Sequence, residues 1–160
     1  SSALYTHIAG LDALRYAVAV QATTNLTSTV RDAALGHAAE RALGAVAHAY
    51  RGFATDHPGQ YASTLLPPLQ PDDHLARATT DLLWVFARII SAGWGHEGEE
   101  AVHAARTARS AVHGFVALEA GHAFSNPADR DTSFDHLVHT VISGLGRVAS
   151  PEELPPIPDP

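Results

Sequence analysis

The 160-residue sequence contains no cysteine, no methionine and no lysine. Without cysteine, disulfides, thiolate zinc sites and thiol catalysis are excluded, and the redox compartment is left undetermined. Without lysine, all ten basic residues are arginine, against 17 acidic ones, and the net charge is −7 with neutral histidines. Such a chain repels phosphate backbones, so nucleic-acid affinity would require basic residues that this sequence does not carry. No apolar run approaches the roughly 20 residues needed to span a bilayer, and no signal peptide is visible. The expectation is a soluble, cytoplasmic protein. There is no glycine-rich phosphate loop and no Gly-x-Ser-x-Gly elbow. Ser110 and His113 lie three apart with no third partner in sight, so nucleophilic catalysis has no support.

What is present is alanine-rich sequence with helical periodicity, 46 % hydrophobic, punctuated by ten prolines. No alternating strand pattern competes with it, and the reading is an all-α domain. Leu11 to about Leu26 forms one helix, with Leu11, Leu14, Val18 and Ala22 on one face. Asp32 opens the next, which runs to about Thr55 with Leu35, Ala39, Ala42, Val46, Tyr50 and Phe53 inward. His57-Pro58-Gly59 stops it, and Gln60 to Leu66 form a short helical turn. Pro71-Asp72-Asp73 starts a helix to about Ala92. The helix from Glu97 to about Ala123 carries two seams. One is Ala101, Ala104, Ala108, Ala111, Phe115 and Leu118; the other is Val102, Ala105, Arg109, Val112 and Val116. Two seams imply two neighbours. The last helix, Asp131 to Val148, has Phe134, Leu137, Val138, Val141, Ile142 and Leu145 on one stripe. These two adjacent helices predict a dimeric four-helix bundle, two from each subunit. Its interface residues would be Ala104, Ala108, Ala111 and Phe115 on the first helix, with that whole stripe on the second. The alternative is that both seams are used inside one subunit. The tail 151–160 is acidic and half proline.

Eleven histidines invite a metal reading. Glu100-x-x-His103 and Glu119-x-x-His122 have the spacing of di-iron carboxylate bundles. On one helix, 19 residues apart, they would stand roughly 28 Å from each other, too far to share a metal pair. His136-x-x-His139 beside Asp135 could grip a divalent cation, or simply face solvent. No metal or cofactor is assigned. A better use of polar groups is a ligand pocket, mostly apolar with a few placed polar groups. Tyr50, Phe53, Trp84, Arg88, Arg109 and His113 of the central helices are the candidates, with Tyr61 from the short turn. Arg88 and Arg109 could meet an anionic ligand, or pair with Asp81 or Glu119 across helices. His113, next to the mid-helix Gly114, could orient a polar ligand group or be a core histidine bonded to its neighbours.

The opening Leu4-Tyr5-Thr6-His7, followed by Gly10-Leu11-Asp12, resembles the end of the recognition helix in the TetR family of transcriptional regulators. The stretch Ala108 to Glu119, containing His113-Gly114-Phe115, resembles the His-Gly motif of that family's WHG-type C-terminal domain. Gly121, Phe124 and Phe134 follow in order, although Val112 stands near the place of the name-giving tryptophan. Tyr50-Arg51-Gly52-Phe53 and His57-Pro58-Gly59-Gln60-Tyr61 are also similar. The resemblance implies three regions: 1–10 as the remnant of a helix-turn-helix domain, 11–150 as a ligand-binding and dimerisation domain, and 151–160 as the tail. It implies a homodimeric, ligand-responsive regulator, most simply a repressor, and not an enzyme. A small-molecule effector in the core would alter the spacing of two heads on palindromic operator DNA. Tyr5 and His7 match family positions that touch phosphate, and Ser1 and Ser2 would lie on the same helix. Leu11 replaces a phosphate-binding lysine common in relatives. The alternatives are a helical-bundle metalloenzyme and a free-standing small-molecule carrier.

Overall fold

The computed structural model describes residues 10–69 and 73–146. Ser1, Ser2, Tyr5 and His7, with the tail 151–160, lie outside the described residues. Among the described residues there are six helices and no strand: α1 Leu11–Ala34, α2 Ala39–Asp56, α3 Pro58–Ser63, α4 His74–Trp94, α5 Gly98–Ala120 and α6 Arg130–Leu145. No helix among them is long and apolar enough to cross a membrane.

The first helix departs from expectation. It does not stop near Leu26 but continues to Ala34, through a run rich in threonine that disfavours helix in isolation. Packing overrides that preference. Thr23, Leu26, Thr27 and Val30 are buried on the inner face, and the Thr23 and Thr27 hydroxyls donate to the carbonyls of Ala19 and Thr23, four residues back. Each polar group is therefore satisfied within the helix. Asp32 sits in the last turn of α1 and does not cap the next helix; Leu35 lies in the intervening turn and is exposed. Leu11, Leu14 and Val18, expected on an inner face, are also exposed.

The α2 helix is the hub, packing against each of the other five. Its stripe of Val46, Tyr50 and Phe53 meets Leu26 and Val30 of α1, Phe86 and Ile90 of α4, Val112 and Phe115 of α5, and Phe134 of α6 in one core. The Ala101, Ala104, Ala105 and Ala108 seam of α5 is buried, where small side chains let helix axes come close. Caps fix the remaining ends. The Asp73 carboxylate accepts from the Ala76 N–H at the start of α4, and the Asp129 carboxylate accepts from Thr132 at the start of α6, both standard N-cap bonds. Gly95, at φ 75°, closes α4 in the left-handed conformation that glycine tolerates best. The adjacent His96 is buried. Its Nε2 is 2.9 Å from the Leu145 carbonyl oxygen and its Nδ1 is 2.9 Å from Glu100 Oε1. It fastens the end of α6 to the start of α5.

The expected interface seam is largely internal. Ala104, Ala108, Phe115, Phe134, Val138 and Leu145 are buried within the single chain, because α6 packs on both α5 and α2. Ala111, Leu137, Val141 and Ile142 are only half-buried. Beside them, Leu118 is exposed, as is Gly144. Gly114 and Gly144 have no atom within 4 Å of where a Cβ would stand.

Candidate ligand site

The Thr64–Leu69 segment after α3 crosses the gap between α4 and α5 and roofs a half-open cavity of about 530 Å³. Its α5 wall is Arg106, Arg109, Ser110 and His113, its α4 wall Thr79, Thr80 and Leu83, and its roof Thr64, Leu65, Leu66 and Pro68. The volume is within the roughly 300–1,000 Å³ of small-molecule sites. Arg106, Arg109, Ser110 and His113 share a face because they lie three, four and seven residues apart on α5.

Behind this wall is a polar chain leading into the core. The Tyr61 hydroxyl lies 2.6 Å from His113 Nδ1, and the Tyr61 ring meets Tyr50 edge-on at 5.8 Å. Burial, reinforced by the neighbouring Tyr50 hydroxyl, pushes the Tyr61 phenol far above its ordinary range, so it stays protonated. Burial and the nearby Arg109 guanidinium lower the His113 pKa, favouring the neutral ring. A neutral imidazole donates from one nitrogen and accepts at the other. With Nδ1 engaged by Tyr61, the cavity receives the other edge.

Of the residues expected to form a pocket, the structure brings Tyr50, Tyr61, His113 and Arg109 together. Phe53 is buried in the core, its ring 5.2 Å from His57, and does not line the cavity. Trp84 is 47 % exposed and Arg88 is also exposed. Both lie on the outer side of α4, because they are one and five residues beyond the cavity-facing Leu83 on a 3.6-residue helix. Sequence reasoning missed Arg106 and the threonines of α4. The signal was available: Arg106 stands three residues before Arg109.

Charge elsewhere is organised by Arg51. Its Nε and Nη2 donate to the two Glu119 carboxylate oxygens at 2.8 and 2.6 Å, and Nη2 donates to Asp131 at 2.8 Å. The guanidinium lies 4.9 Å from the centre of the Phe134 ring and 5.6 Å from that of Phe115. One side chain of α2 thus ties α5 to α6. It borders a second, wider cavity of about 770 Å³ that mixes both charge signs, including Asp56, His122, Asp129 and Arg130. Glu119 and Glu100 are therefore committed to Arg51 and His96, and His122 lies beyond the end of α5. No group of three or more His, Asp or Glu among the described residues is placed to hold a metal.

Two contacts tie α1 to α4, one wall of the cavity, and to α3, the helix that leads into its roof. The Tyr16 hydroxyl accepts from the Leu75 N–H in the first turn of α4, and the Asn25 side-chain amide donates to Gln60 in α3. The long first helix of this all-α bundle is thus bonded to both α3 and α4. Residues 43–141 match the family described as tetracyclin repressor-like, C-terminal domain, and the chain belongs to that TetR-type family. An uncharacterized HTH-type transcriptional regulator of Bacillus subtilis (strain 168) is 35 % identical over 144 residues, spanning 89 % of this chain and 73 % of its own length. Another, from Mycobacterium tuberculosis, is 32 % identical, spanning 90 % of this chain and 66 % of its own. A solved structure of a protein of unknown function from Rhodococcus sp. RHA1 shares the fold, with a TM-score of 0.75 at 23 % identity, covering 86 % of this chain and 76 % of that one. The family and these relatives are transcriptional regulators and not enzymes, which removes the metalloenzyme reading.

Proposed function

We propose that this chain is the sensing and dimerising part of a transcriptional regulator. DNA is bound by a helix-turn-helix head joined to the start of α1, and a small molecule in the Arg109–His113 cavity controls that binding. The observation that carries the reading is the pair of hydrogen bonds from α1 to α4, one wall of the cavity, and to α3, the helix that leads into its roof: Tyr16 with Leu75 and Asn25 with Gln60. A ligand that displaces α4 or the segment following α3 strains these bonds to α1, and it shifts the equilibrium only if it binds one position better than the other. The exposed Leu11, Leu14 and Val18 supply an apolar stripe against which the head packs. Ser1, Ser2, Tyr5 and His7 belong to that head. Repression, with release on ligand binding, is the simplest output.

The dimer uses the outer faces of α5 and α6. A mid-helix glycine costs about 1 kcal/mol relative to alanine, yet Gly114, inside α5, has no atom within 4 Å of where a Cβ would stand, and the same holds for Gly144 in the last turn of α6. Their stripes, Ala111–Gly114–Leu118 and Leu137–Val141–Gly144, suit close approach of a second copy. The test is selection of duplex DNA from a random pool by the full-length protein. Enrichment of a palindrome with half-sites about 34–36 Å apart is expected, together with a dimer in sedimentation that Gly114→Leu dissociates while helicity is retained. No enriched sequence, or a monomer throughout, refutes the reading.

A further inference from the structure

The ligand class follows from what the cavity leaves unmatched, on the assumption that it is the sensing site. Arg106 and Arg109, like Arg31, Arg41, Arg77, Arg88 and Arg130, form no ion pair among the described residues, but these two stand together on one cavity wall. No acid is among the described residues that line the cavity. The chain carries an excess of seven acids, so two unpaired arginines on adjacent turns are not the product of an overall basic composition. The field of Arg109 reaches His113 and Tyr61, which marks the inner end of the cavity as electropositive. Ser110 and the Thr79 and Thr80 hydroxyls add hydrogen-bonding groups beside the guanidinium groups. The opposite side is apolar: Leu83 below, with Leu65, Leu66 and Pro68 above. Leu65 is 53 % exposed and Leu66 41 %, so the roof presents uncovered apolar surface directly above the arginines. Cation at one end and bare leucine at the other is an amphipathic template.

We infer that the cavity takes a carboxylate with an apolar body, its acid group between Arg106 and Arg109 and its hydrocarbon under Leu65, Leu66 and Leu83. A guanidinium matches a carboxylate bidentately, and covering the roof leucines removes apolar surface from water. A single negative charge leaves Arg106 and Arg109 one positive charge in excess, tolerable in a half-open site.

Titration calorimetry on the full-length protein tests this with decanoate, decanol, acetate and decyl phosphate as probes. Decanoate is expected to bind at least tenfold more tightly than decanol, which lacks the charge, and than acetate, which lacks the tail. Arg109→Gln and Arg106→Gln should each weaken decanoate at least tenfold. Neither side chain forms an ion pair among the described residues, so neither change is expected to unfold the chain; circular dichroism verifies this. Decanol binding as well as decanoate, equal affinity in both variants, or no decanoate binding at all overturns the inference. Decyl phosphate binding more tightly than decanoate overturns the carboxylate assignment in favour of phosphate. The regulator reading fails separately. Selected DNA that binds with no decanoate uptake sinks only the ligand class; decanoate uptake with no DNA selected sinks only the regulator.

Discussion

Replacing Arg51 with methionine keeps the aliphatic stem over Phe134 and removes the guanidinium. Three losses follow. The two bonds to Glu119 are charge-assisted, worth roughly 1.5–3 kcal/mol each at full strength. With both side chains partly exposed, at 16 % and 19 %, about half of that is the reasonable expectation, or roughly 2 kcal/mol for the pair. The Asp131 bond adds less than about 0.5 kcal/mol, because that carboxylate is 81 % exposed. Stacking on Phe134 adds about 0.5 kcal/mol. The total is about 3 kcal/mol, equivalent to a fall in melting temperature of roughly 6–12 °C for a chain of this size. Urea denaturation at fixed protein concentration measures it. A double-mutant cycle with Glu119→Gln should show coupling of about 1–2 kcal/mol, and one with Asp131→Asn under about 0.5 kcal/mol. A loss below about 1 kcal/mol for Arg51→Met, or equal coupling to both acids, refutes the assignment of Arg51 as the tie between α2, α5 and α6.

The same tie sets an acid limit. Arg51 holds the Glu119 carboxyl below its ordinary value of 4.5. The folded protein therefore binds that proton less readily than the unfolded one, and the contribution, complete above about pH 4.5, drains away as the pH falls below it. Arg51→Met should flatten this limb of the stability–pH curve; an unchanged limb contradicts the assignment. His113, also lowered, from 6.5, acts with the same sign in a higher window: stability starts to decline below about pH 6.5, and His113→Gln should abolish that earlier decline. Gly93→Ala drives a Cβ into the Ala39 Cβ, an overpacking expected to cost about 1–3 kcal/mol. Gly52→Ala, with nothing within 4 Å, should be neutral or stabilising by up to about 1 kcal/mol, so equal melting temperatures for the two variants would contradict the packing described. Tyr61→Phe removes the hydroxyl bonded to His113 and should cost about 1–2 kcal/mol in chemical denaturation; a loss under about 0.5 kcal/mol would mean the bond has no energetic role.

The sequence made the helical class plain because apolar residues recur at three and four over long stretches, clearest in Leu82, Phe86 and Ile90. Boundaries were legible where a residue has one strong conformational meaning, as at His57-Pro58 and Asp73. They failed between Leu26 and Ala39, where threonine propensity pointed one way and burial of Thr23 and Thr27 the other. Of the site, Tyr50, Tyr61, Arg109 and His113 could be named from residue type and motif order. The Arg51–Glu119–Asp131 cluster could not be read, because its members are 68 and 80 residues apart in sequence and no local pattern encodes a long-range pair. Much of the stripe expected at an interface is instead packed inside the chain. The stripe of Phe134, Val138 and Leu145 has helical period whether it meets a second copy or α2, and periodicity alone does not distinguish the two.

The anchoring of α1 has a mechanical consequence. Asn25 and Tyr16 are nine residues apart, so the two fixed points are separated by about 13 Å along the axis. Leu11 lies roughly 21 Å from Asn25 on the same rod. If the Tyr16 contact slips while Asn25 serves as a pivot, a swing of about 5° carries the free end of α1 through nearly 2 Å. In the dimer proposed above, a mirrored swing in the second subunit doubles that displacement between the two heads. A slip of about 1.2 Å beside Leu75 therefore becomes nearly 2 Å at Leu11, so the contact most worth guarding during engineering is a single tyrosine hydroxyl.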